Sequence, residues 1–193
     1  MKKIILASTS PRRNELMSSL GLAFDVVSPD YDEKMAGLKF SYEAIESIAL
    51  NKGKSAKQKV TTSALIISAD TVVVLGLDVL GKPKDASDAK KMLSALSDNS
   101  HKVVTSIAII DTETDKTIVQ STTSNVRFNK LSECDIDYYI KKFKPFDKAG
   151  SYGIQELPDG FVKEIDGDFD NIVGLPTKTL IKMLADINNC AHL

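Results

Sequence analysis

The sequence predicts an α/β fold of the mixed α+β kind, in which helices flank a mixed β-sheet. In the first half of the chain, segments with helix signals alternate with apolar runs of strand length, namely KIILA at 3–7, FDVVS at 24–28 and ALIISA at 64–69. Two longer β-patterned segments, 101–111 and 116–129, then follow each other across the turn-like TETD. Because this hairpin interrupts the alternation of strands and helices, the sequence argues against a purely parallel sheet.

Capping residues mark where the helices begin and end. Ser10 followed by Pro11 marks the start of the first helix, and Gly21 supplies its end. Each later helix is predicted from a capping residue or an apolar periodicity of 3.6 residues. These helices are expected after Ser41, over 85–97, after the capping pair Ser132 and Asp135, and over 176–187.

Length, charge and cysteine usage limit the class of protein. The 193 residues suffice for one substantial core, and we expect a single domain over 1–193. A formal net charge of −1 argues against a nucleic-acid surface, so any positive site has to be local. Cys134 and Cys190 lie far apart, which predicts no disulfide framework. The apolar run 4–7 is too short for a signal peptide, and no stretch approaches the ~20 residues of a membrane span. We therefore expect a cytoplasmic protein that binds neither nucleic acid nor membrane.

Two arginines, Arg12 and Arg13, stand at the start of the first predicted helix. Because a helix N-terminus carries partial positive charge, two cations there are unfavourable unless an anion offsets them. The turn from strand to helix offers backbone N–H groups, and the hydroxyls of Ser8 and Ser10 add donors. This arrangement predicts a phosphate site, although it lacks the glycines of a Walker loop. In the alternative interpretation, Ser10 only caps the helix and the arginines are solvated.

Five further residues carry polar chemistry at suggestive places. Asp70 follows an apolar strand, where a carboxylate can hold a metal or act as a base, or can simply end the strand. Glu33 lies in the acidic loop DYDEK, and such loops are usually only solvated. Lys52 on a helix flank and Lys82 in GKP are, taken singly, typical surface and turn residues. Gln155 carries an amide that both donates and accepts, which suits the edge of a nucleobase.

In their order along the chain, these segments resemble the Maf family of nucleoside triphosphate pyrophosphatases. LASTSPRRNELM is similar to the family's opening signature, IALNKGKSA to its lysine-bearing helix, and SADTVV to its catalytic aspartate segment. LGKPKDASDAKKML, SHKVVTSIAI, DKAGSYGIQ and NIVGLP continue the match. The resemblance spans nearly the whole chain. It implies the fold shared by Maf proteins and inosine triphosphate pyrophosphatases, with a cleft between two lobes.

The resemblance also implies roles for individual residues. Catalytic roles fall to Glu33, Lys52, Asp70 and Lys82. Of these, Glu33 and Asp70 are also associated with a divalent metal, Mg²⁺ or Mn²⁺. Substrate-binding roles fall to Ser8, Arg12, Arg13, Thr71 and Gln155. A sister branch that prefers 7-methyl-GTP has an aromatic residue, Gln and Glu at the positions of Arg12, Thr71 and Gln155. This sequence therefore matches the branch that acts on dTTP and UTP.

The implied activity is hydrolysis of dTTP and UTP to the nucleoside monophosphate and pyrophosphate by a homodimer, with modified pyrimidine nucleotides as further candidates. A triphosphate carries about four negative charges, which Arg12, Arg13, Lys52 and Lys82 can balance together with a metal. The alternative is a nucleotide-binding regulator of septum formation without turnover. Such a regulator gains nothing from Asp70 beside a polyanion unless a metal is present. Binding of single-stranded nucleic acid is disfavoured, because the chain has no Trp.

Two loop positions depart from the family pattern. Asp98 stands where the family has glycine, and Thr105-Ser106 stands where it has Thr-Gly. Neither departure replaces a charged site residue, so both bear on loop geometry rather than on the reaction. For the homodimer, VVVL at 72–75 and the hairpin strands are expected to offer a sheet edge.

Overall fold

A seven-stranded mixed sheet lies at the centre of the computed structural model, which describes residues 2–31 and 39–189. The strands are β1 (Lys3–Ala7), β2 (Phe24–Val26), β3 (Ala64–Leu75), β4 (Asp78–Leu80), β5 (Ser100–Asp111), β6 (Thr117–Phe128) and β7 (Val162–Asp166). The strand order is β2-β1-β3-β5-β6-β7, and β4 pairs with one end of β3. β1 runs parallel to β2 and β3, and the other pairings are antiparallel. The prediction of a mixed sheet is confirmed.

Helices flank this sheet, and most of them begin where the capping residues predict. Ser41 accepts a hydrogen bond from the Ala44 amide, and Ser132 and Asp135 cap each other reciprocally. None of the helices in this described part of the chain combines the length and apolar character that a membrane span needs. The helices are α1 (Pro11–Ser19), α2 (Tyr42–Lys57), α3 (Ala86–Leu96), α4 (Glu133–Phe143), α5 (Phe169–Val173) and α6 (Thr177–Asn189), with 3₁₀ turns at Ala149–Ser151 and Ile154–Glu156.

β3 is longer than the sequence predicts. The expected strand ends just before Asp70, whereas β3 continues without a break to Leu75 and places Asp70 near its middle. The prediction of a strand end was wrong because β5 pairs with β3 continuously from Leu65 to Val74. β1, in contrast, pairs only as far as Ser68, and the chain then turns into α1. Asp70 therefore lies where a neighbouring strand ends.

Buried side chains form separate clusters on the two sides of the cleft described below. One cluster joins β1, β3 and β5 to α1 and α6, for example through Ile67, Met17 and Leu180. Another joins α3 and α4 to the opposite end of β5 and β6, through residues such as Leu93 and Phe128. α2 covers the remaining face of the sheet. The two lobes thus have their own cores and share the long strands.

Of the two departures from the family pattern, Asp98 lies in a loop, whereas Thr105-Ser106 lies within β5. The expectation that both departures bear on loop geometry was wrong for Thr105-Ser106, because β5 pairs continuously with β3 and β6 there. Asp98 adopts a φ of 57°, in the left-handed region that favours glycine, and its amide donates to the Asn129 carbonyl at 3.0 Å. The conformation costs on the order of 1 kcal/mol for a residue with a side chain. Ser106 is buried, and its hydroxyl lies 2.7 Å from the hydroxyl of Ser121. The side chains have changed while the backbone path of the Asp98 loop still uses a glycine-like conformation.

The expected sheet edge is found on only one of the two proposed segments. Residues 72–75 have β5 on one side, and 73–75 have β4 on the other, so the prediction that VVVL offers an edge was wrong. Its cause is the tight return through Gly76, which folds β4 back onto β3. β7 pairs with β6 only from Asn125 onward. Within the described pairings, the first part of β6 has a strand on one side.

Candidate active site

A cleft of about 330 Å³ opens beside Asp70, between the two lobes. It is bounded by the turn from β1 to α1, the middle of β3, the segment after β4 and the loop with the two 3₁₀ turns. Glu33, a predicted catalytic and metal-associated residue, lies outside the described residues. The other eight predicted site residues all line the cleft. They are Ser8, Arg12, Arg13, Lys52, Asp70, Thr71, Lys82 and Gln155.

The turn between β1 and α1 forms one wall of the cleft. Ser8 is buried there, and its hydroxyl accepts a hydrogen bond from the Ser10 amide at 3.1 Å. Ser10 occupies the position before the helix, as predicted, but its side chain makes no capping bond. Pro11 begins the helix, and the first turn of α1 contains no acidic residue. The positive end of this helix is therefore not offset within its own first turn, which leaves it suited to an anion.

Arg12 and Arg13 reach different partners. Arg13 donates from Nε to the Gly174 carbonyl at 2.8 Å and from its terminal nitrogen to the Thr71 hydroxyl at 3.0 Å. Arg12 donates to a carboxylate oxygen of Asp147 at 3.3 Å. Because a guanidinium donates in a fixed planar fork, its two bonds set the orientation of Arg13. The adjacent arginines thus lie in different parts of the cleft wall.

A chain of buried hydrogen bonds fixes Thr71 in turn. The Thr71 hydroxyl lies 2.9 Å from the hydroxyl of Thr105, which donates to the Asn171 carbonyl at 2.9 Å. Asn171 is fully buried in α5, and its amide donates to the Val103 carbonyl and the Ser124 hydroxyl. Since Thr105 uses its proton on Asn171, Thr71 is the donor to Thr105 and accepts from Arg13. Thr71 therefore lines the cleft and also contacts Arg13 directly.

Lys52 and Asp70 form a buried ion pair at the base of the cleft. Lys52 Nζ donates to Asp70 Oδ1 at 2.5 Å, and both side chains are less than a tenth exposed. The pair forms because α2 approaches β3 closely at Gly53. A Cβ on Gly53 would stand 2.7 Å from the Ser68 hydroxyl. That hydroxyl itself donates to the Ala49 carbonyl of α2 at 2.6 Å. A buried charge pair of this kind is held together by mutual attraction, and loss of one partner strands the other.

Lys82 and Gln155 come from the other lobe. Lys82 follows β4, next to Gly81, whose carbonyl accepts a hydrogen bond from the Gly150 amide at 3.0 Å. This bond ties the Lys82 segment to the loop that carries Gln155. Gly150 has a φ of 65°, and a Cβ there would stand 2.9 Å from Val73. The loop thus packs directly onto β3, and the exposed Gln155 lies in its second 3₁₀ turn.

The family model described as Maf-like protein matches residues 3–187, which is nearly the whole chain. This chain belongs to the Maf family. A curated relative from Alkaliphilus oremlandii, named dTTP/UTP pyrophosphatase, is 46% identical over 176 residues, which cover 91% of each chain. A protein of the same name from Clostridium botulinum strain Eklund 17B is 44% identical over 185 residues, covering 95% of this chain and 98% of the relative. The family predicted from the sequence is confirmed.

A solved structure supports the fold of this Maf family member independently of close sequence similarity. A HAM1 protein from Coxiella burnetii superposes with a TM-score of 0.55 at 16% identity, over 98% of this chain and 100% of the other. At this level of identity, the likeness concerns the fold alone. This chain and the Coxiella burnetii protein therefore share a fold.

The cleft of this Maf family member contains features that fit a divalent ion arriving with a polyphosphate. Over residues 2–31 and 39–189, no three His, Cys, Asp or Glu side chains form a cluster that could hold a metal by themselves. Asp70 does present a carboxylate to the cleft. Mg²⁺ is commonly bound through one or two carboxylates together with substrate phosphates and water. The Asp70 carboxylate, beside its ion pair with Lys52, can serve as one such carboxylate.

The ion pairs of Lys148 in the cleft wall were not predicted from the sequence. Lys148 is buried, and its ammonium lies 2.9 Å from Asp147 Oδ1 and 3.3 Å from Glu156 Oε2. Asp147 and Lys148 both line the cleft. The signal available in the sequence was an adjacent acid and base, Asp147 and Lys148, in front of Ala149-Gly150. The contact between Lys148 and Glu156 forms only when the loop between them folds, so the local sequence does not predict it.

Tyr152, also missed, forms an aromatic part of the cleft wall with a buried histidine behind it. Its hydroxyl lies 2.7 Å from His101 Nε2, and its ring packs edge to face on Phe128. Burial lowers the pKa of His101 to about 4, and burial likewise raises the pKa of Tyr152 above its ordinary value. Both groups are therefore neutral at physiological pH. This part of the cleft wall is therefore uncharged.

Proposed function

We propose that this Maf family member is a nucleoside triphosphate pyrophosphatase that hydrolyses dTTP and UTP to the nucleoside monophosphate and pyrophosphate. The observation that carries the proposal is the Asp70–Lys52 pair at 2.5 Å, at the base of a cleft whose wall also presents Arg12, Arg13 and Lys82. The name shared by its relatives of 44–46% identity supports the choice of substrates.

Binding rests on charge and on the helix N-terminus. The substrate carries about four negative charges, which have to be held while a water is aimed at one phosphorus. Arg13, Lys52 and Lys82, together with the buried Ser8 at the start of α1, supply phosphate donors. The two bonds of Arg13 to Gly174 and Thr71 hold its guanidinium before substrate arrives. Pre-oriented donors lose less conformational entropy on binding.

Asp70 is the proposed base. The carboxylate takes a proton from the attacking water as the water oxygen forms a bond to the α phosphorus. The bond from that phosphorus to the bridging oxygen breaks, and pyrophosphate leaves with the electron pair. Lys52, at 2.5 Å, keeps the carboxylate in one orientation for this transfer. Glu33, which lies outside the described residues, is proposed as a second metal-associated carboxylate by family resemblance. With Asp70 it would hold Mg²⁺ or Mn²⁺, which when bound would neutralise phosphate charge.

Arg12, Thr71 and Gln155 are the proposed selectors of the base. Arg12 and Gln155 both line the cleft, and Arg12 donates to Asp147, the carboxylate that pairs with Lys148. The Gln155 amide can pair with a ring carbonyl and a ring N–H, the two kinds of group that uracil and thymine present. Thr71 also lines the cleft, and its hydroxyl accepts a hydrogen bond from Arg13.

The test is release of pyrophosphate from a panel of nucleoside triphosphates with Mg²⁺ or Mn²⁺. Asp70→Asn is expected to lower kcat by at least ~100-fold while nucleotide still binds. Asp111→Asn is a matched control, because Asp111 is also buried and paired with a lysine, at 2.6 Å, but does not line the cleft. Binding without turnover by the wild type under every condition would instead favour the nucleotide-binding regulator.

The remaining expectations about the whole molecule are also proposals. The family match over 3–187 and the continuous sheet support one pyrophosphatase domain over 1–193. A homodimer is proposed from the family resemblance, and the part of β6 before Asn125 offers an edge for it. A cytoplasmic location is proposed from the cysteine usage, which fits a reducing compartment. Light scattering on the purified protein gives the number of copies.

A further inference from the structure

Lys148 is a nearly buried charge in the cleft wall that the proposed reaction does not use. Its side chain is 8% exposed, and its ammonium lies between the carboxylates of Asp147 and Glu156, at 2.9 and 3.3 Å. The contact with Asp147 is a hydrogen bond, whereas the contact with Glu156 Oε2 has the geometry of an ion pair alone. A lysine ammonium is stable in a nearly buried position only when it is paired with carboxylates, because burial of an unpaired charge is costly.

The Glu156 side of this arrangement fixes the turn that carries Gln155. Gly153 begins the turn, and a Cβ there would stand 2.9 Å from Lys148 Cε and 3.1 Å from Glu156 Oε2. The turn therefore folds closely around the lysine stem. The Gly153 amide also donates to the Tyr139 hydroxyl at 3.0 Å. Gln155 thus lies between two attachments, one at the start of the turn and one at its end.

The Asp147 side fixes Arg12. One oxygen of the Asp147 carboxylate accepts from Lys148 and the other from Arg12, at 2.9 and 3.3 Å. Burial acts to raise the pKa of Asp147, but the hydrogen bond from Lys148 and the charges of Lys148 and Arg12 outweigh burial and hold it below its ordinary value. Asp147 is therefore an anion at neutral pH, and it bridges two cations. A cation held on a fixed carboxylate has fewer orientations than a free one.

We infer that Lys148 is a positioning residue for nucleobase selection: through Asp147 it places Arg12, and through Glu156 it places the turn that carries Gln155. This inference rests on the proposed function, since it assigns Arg12 and Gln155 to the base. Among the described ion pairs, Lys148 is the residue that connects Arg12, through Asp147, to the turn of Gln155, through Glu156. It therefore sets the distance between Arg12 and Gln155. Two selectors read a base together only when their spacing matches its edge, so a lost link relaxes selection.

The test compares Lys148→Met, which keeps the length of the stem, with Lys141→Met on the exposed side of α4 as control. In Lys148→Met, KM for dTTP is expected to rise about tenfold with kcat within about twofold, and the ratio of kcat/KM for dTTP over dCTP is expected to fall about tenfold. Lys141→Met is expected to match the wild type. Equal losses for dTTP and dCTP, or a fall confined to kcat, would overturn the inference.

A second variant keeps the test decisive if Lys148→Met folds poorly. Asp147 is 61% exposed, so Asp147→Asn leaves the core intact, and it is expected to lower the same ratio about threefold. An unchanged ratio in folded Asp147→Asn would also overturn the inference. Equilibrium binding of the α,β-imido analogues of dTTP and dCTP measures selection without turnover. If the wild type released no pyrophosphate, the proposed function would fail, while the binding ratio would still decide the role of Lys148.

Discussion

Replacement of Gly53 by alanine tests whether the close approach of α2 to β3 creates the Lys52–Asp70 pair. The new Cβ would stand 2.7 Å from the Ser68 hydroxyl, which is closer than real contacts allow, and 3.0 Å from Ile110 Cδ1, which is tighter than most real contacts. Inserting a methyl group into a packed site costs about 1–3 kcal/mol. Alanine in a helix interior regains roughly 0.5–1 kcal/mol relative to glycine. The packing cost exceeds the gain, so the free energy of unfolding should fall by about 1 kcal/mol.

The effect on catalysis should be larger than the effect on stability. α2 has to move away from β3 by a few tenths of an ångström, and Lys52 is the neighbour of the substituted residue. The hydrogen bond from Lys52 to Asp70 is short, at 2.5 Å, so this movement lengthens it and loosens the proposed base. We expect kcat for dTTP to fall about tenfold with KM changed less, as for a misplaced catalytic group.

Urea unfolding and steady-state release of pyrophosphate measure the two effects. Ser68→Ala removes the nearest atom that the new Cβ meets, at the cost of the hydrogen bond to the Ala49 carbonyl, about 1 kcal/mol. Combined with Gly53→Ala, it should be less harmful than the sum of the single changes, which a double-mutant cycle detects. If Gly53→Ala proved more stable than the wild type with unchanged kcat, the contact would not be what positions Lys52.

Three further predictions concern single side chains. Gln155→Glu should lower kcat/KM for dTTP about tenfold, because a carboxylate cannot donate to a ring carbonyl, and a steady-state comparison of nucleotides checks this. Arg13→Lys should raise KM for dTTP by about tenfold with little change in thermal stability, because an ammonium cannot keep both bonds of the guanidinium fork to Gly174 and Thr71. Burial holds the pKa of His101 at about 4, below its unfolded value of 6.5. As the pH falls, the unfolded chain therefore binds a proton at His101 before the folded chain does. The free energy of unfolding should fall by about 2 kcal/mol between pH 7 and pH 5, as measured by urea titration at the two pH values. His101→Gln should remove this fall.

The strands and helices that the sequence predicts correctly are those with a local cause. Ser41 and the Ser132–Asp135 pair cap their helices because capping needs only neighbouring residues. The extent of β3 could not be predicted in this way, because its continuation past Asp70 depends on β5, more than thirty positions later in the chain. α5 was missed for a similar reason. It has five residues and is held by the contacts of the buried Asn171 with β5 and β6.

In the candidate site, too, local sequence patterns could be predicted and contacts between distant segments could not. Residues such as Arg13, Lys52 and Asp70 could be named from the sequence because the motifs around them resemble a family. Their partners could not be named, since each partner comes from a distant segment. Gly174 lies 161 positions from Arg13, and the bond between them exists only once α5 packs beside α1. Lys148 and Glu156 are close in sequence, but their contact needs the fold of the turn between them.

The position of the cleft follows from the unequal lengths of β1 and β3. β1 ends at Ala7, opposite Ser68, while the antiparallel pairing with β5 carries β3 onward through Asp70. One side of β3 therefore loses its neighbouring strand at the point where the carboxylate occurs. The chain that leaves β1 turns into α1 and places Arg12 and Arg13 at the rim of the gap. Two cations at a helix N-terminus are locally unfavourable, but here they line the cleft in which the triphosphate is proposed to bind, and its negative charge would offset them. The strand end that opens the cleft beside Asp70 thus also explains why the arginines stand where they do.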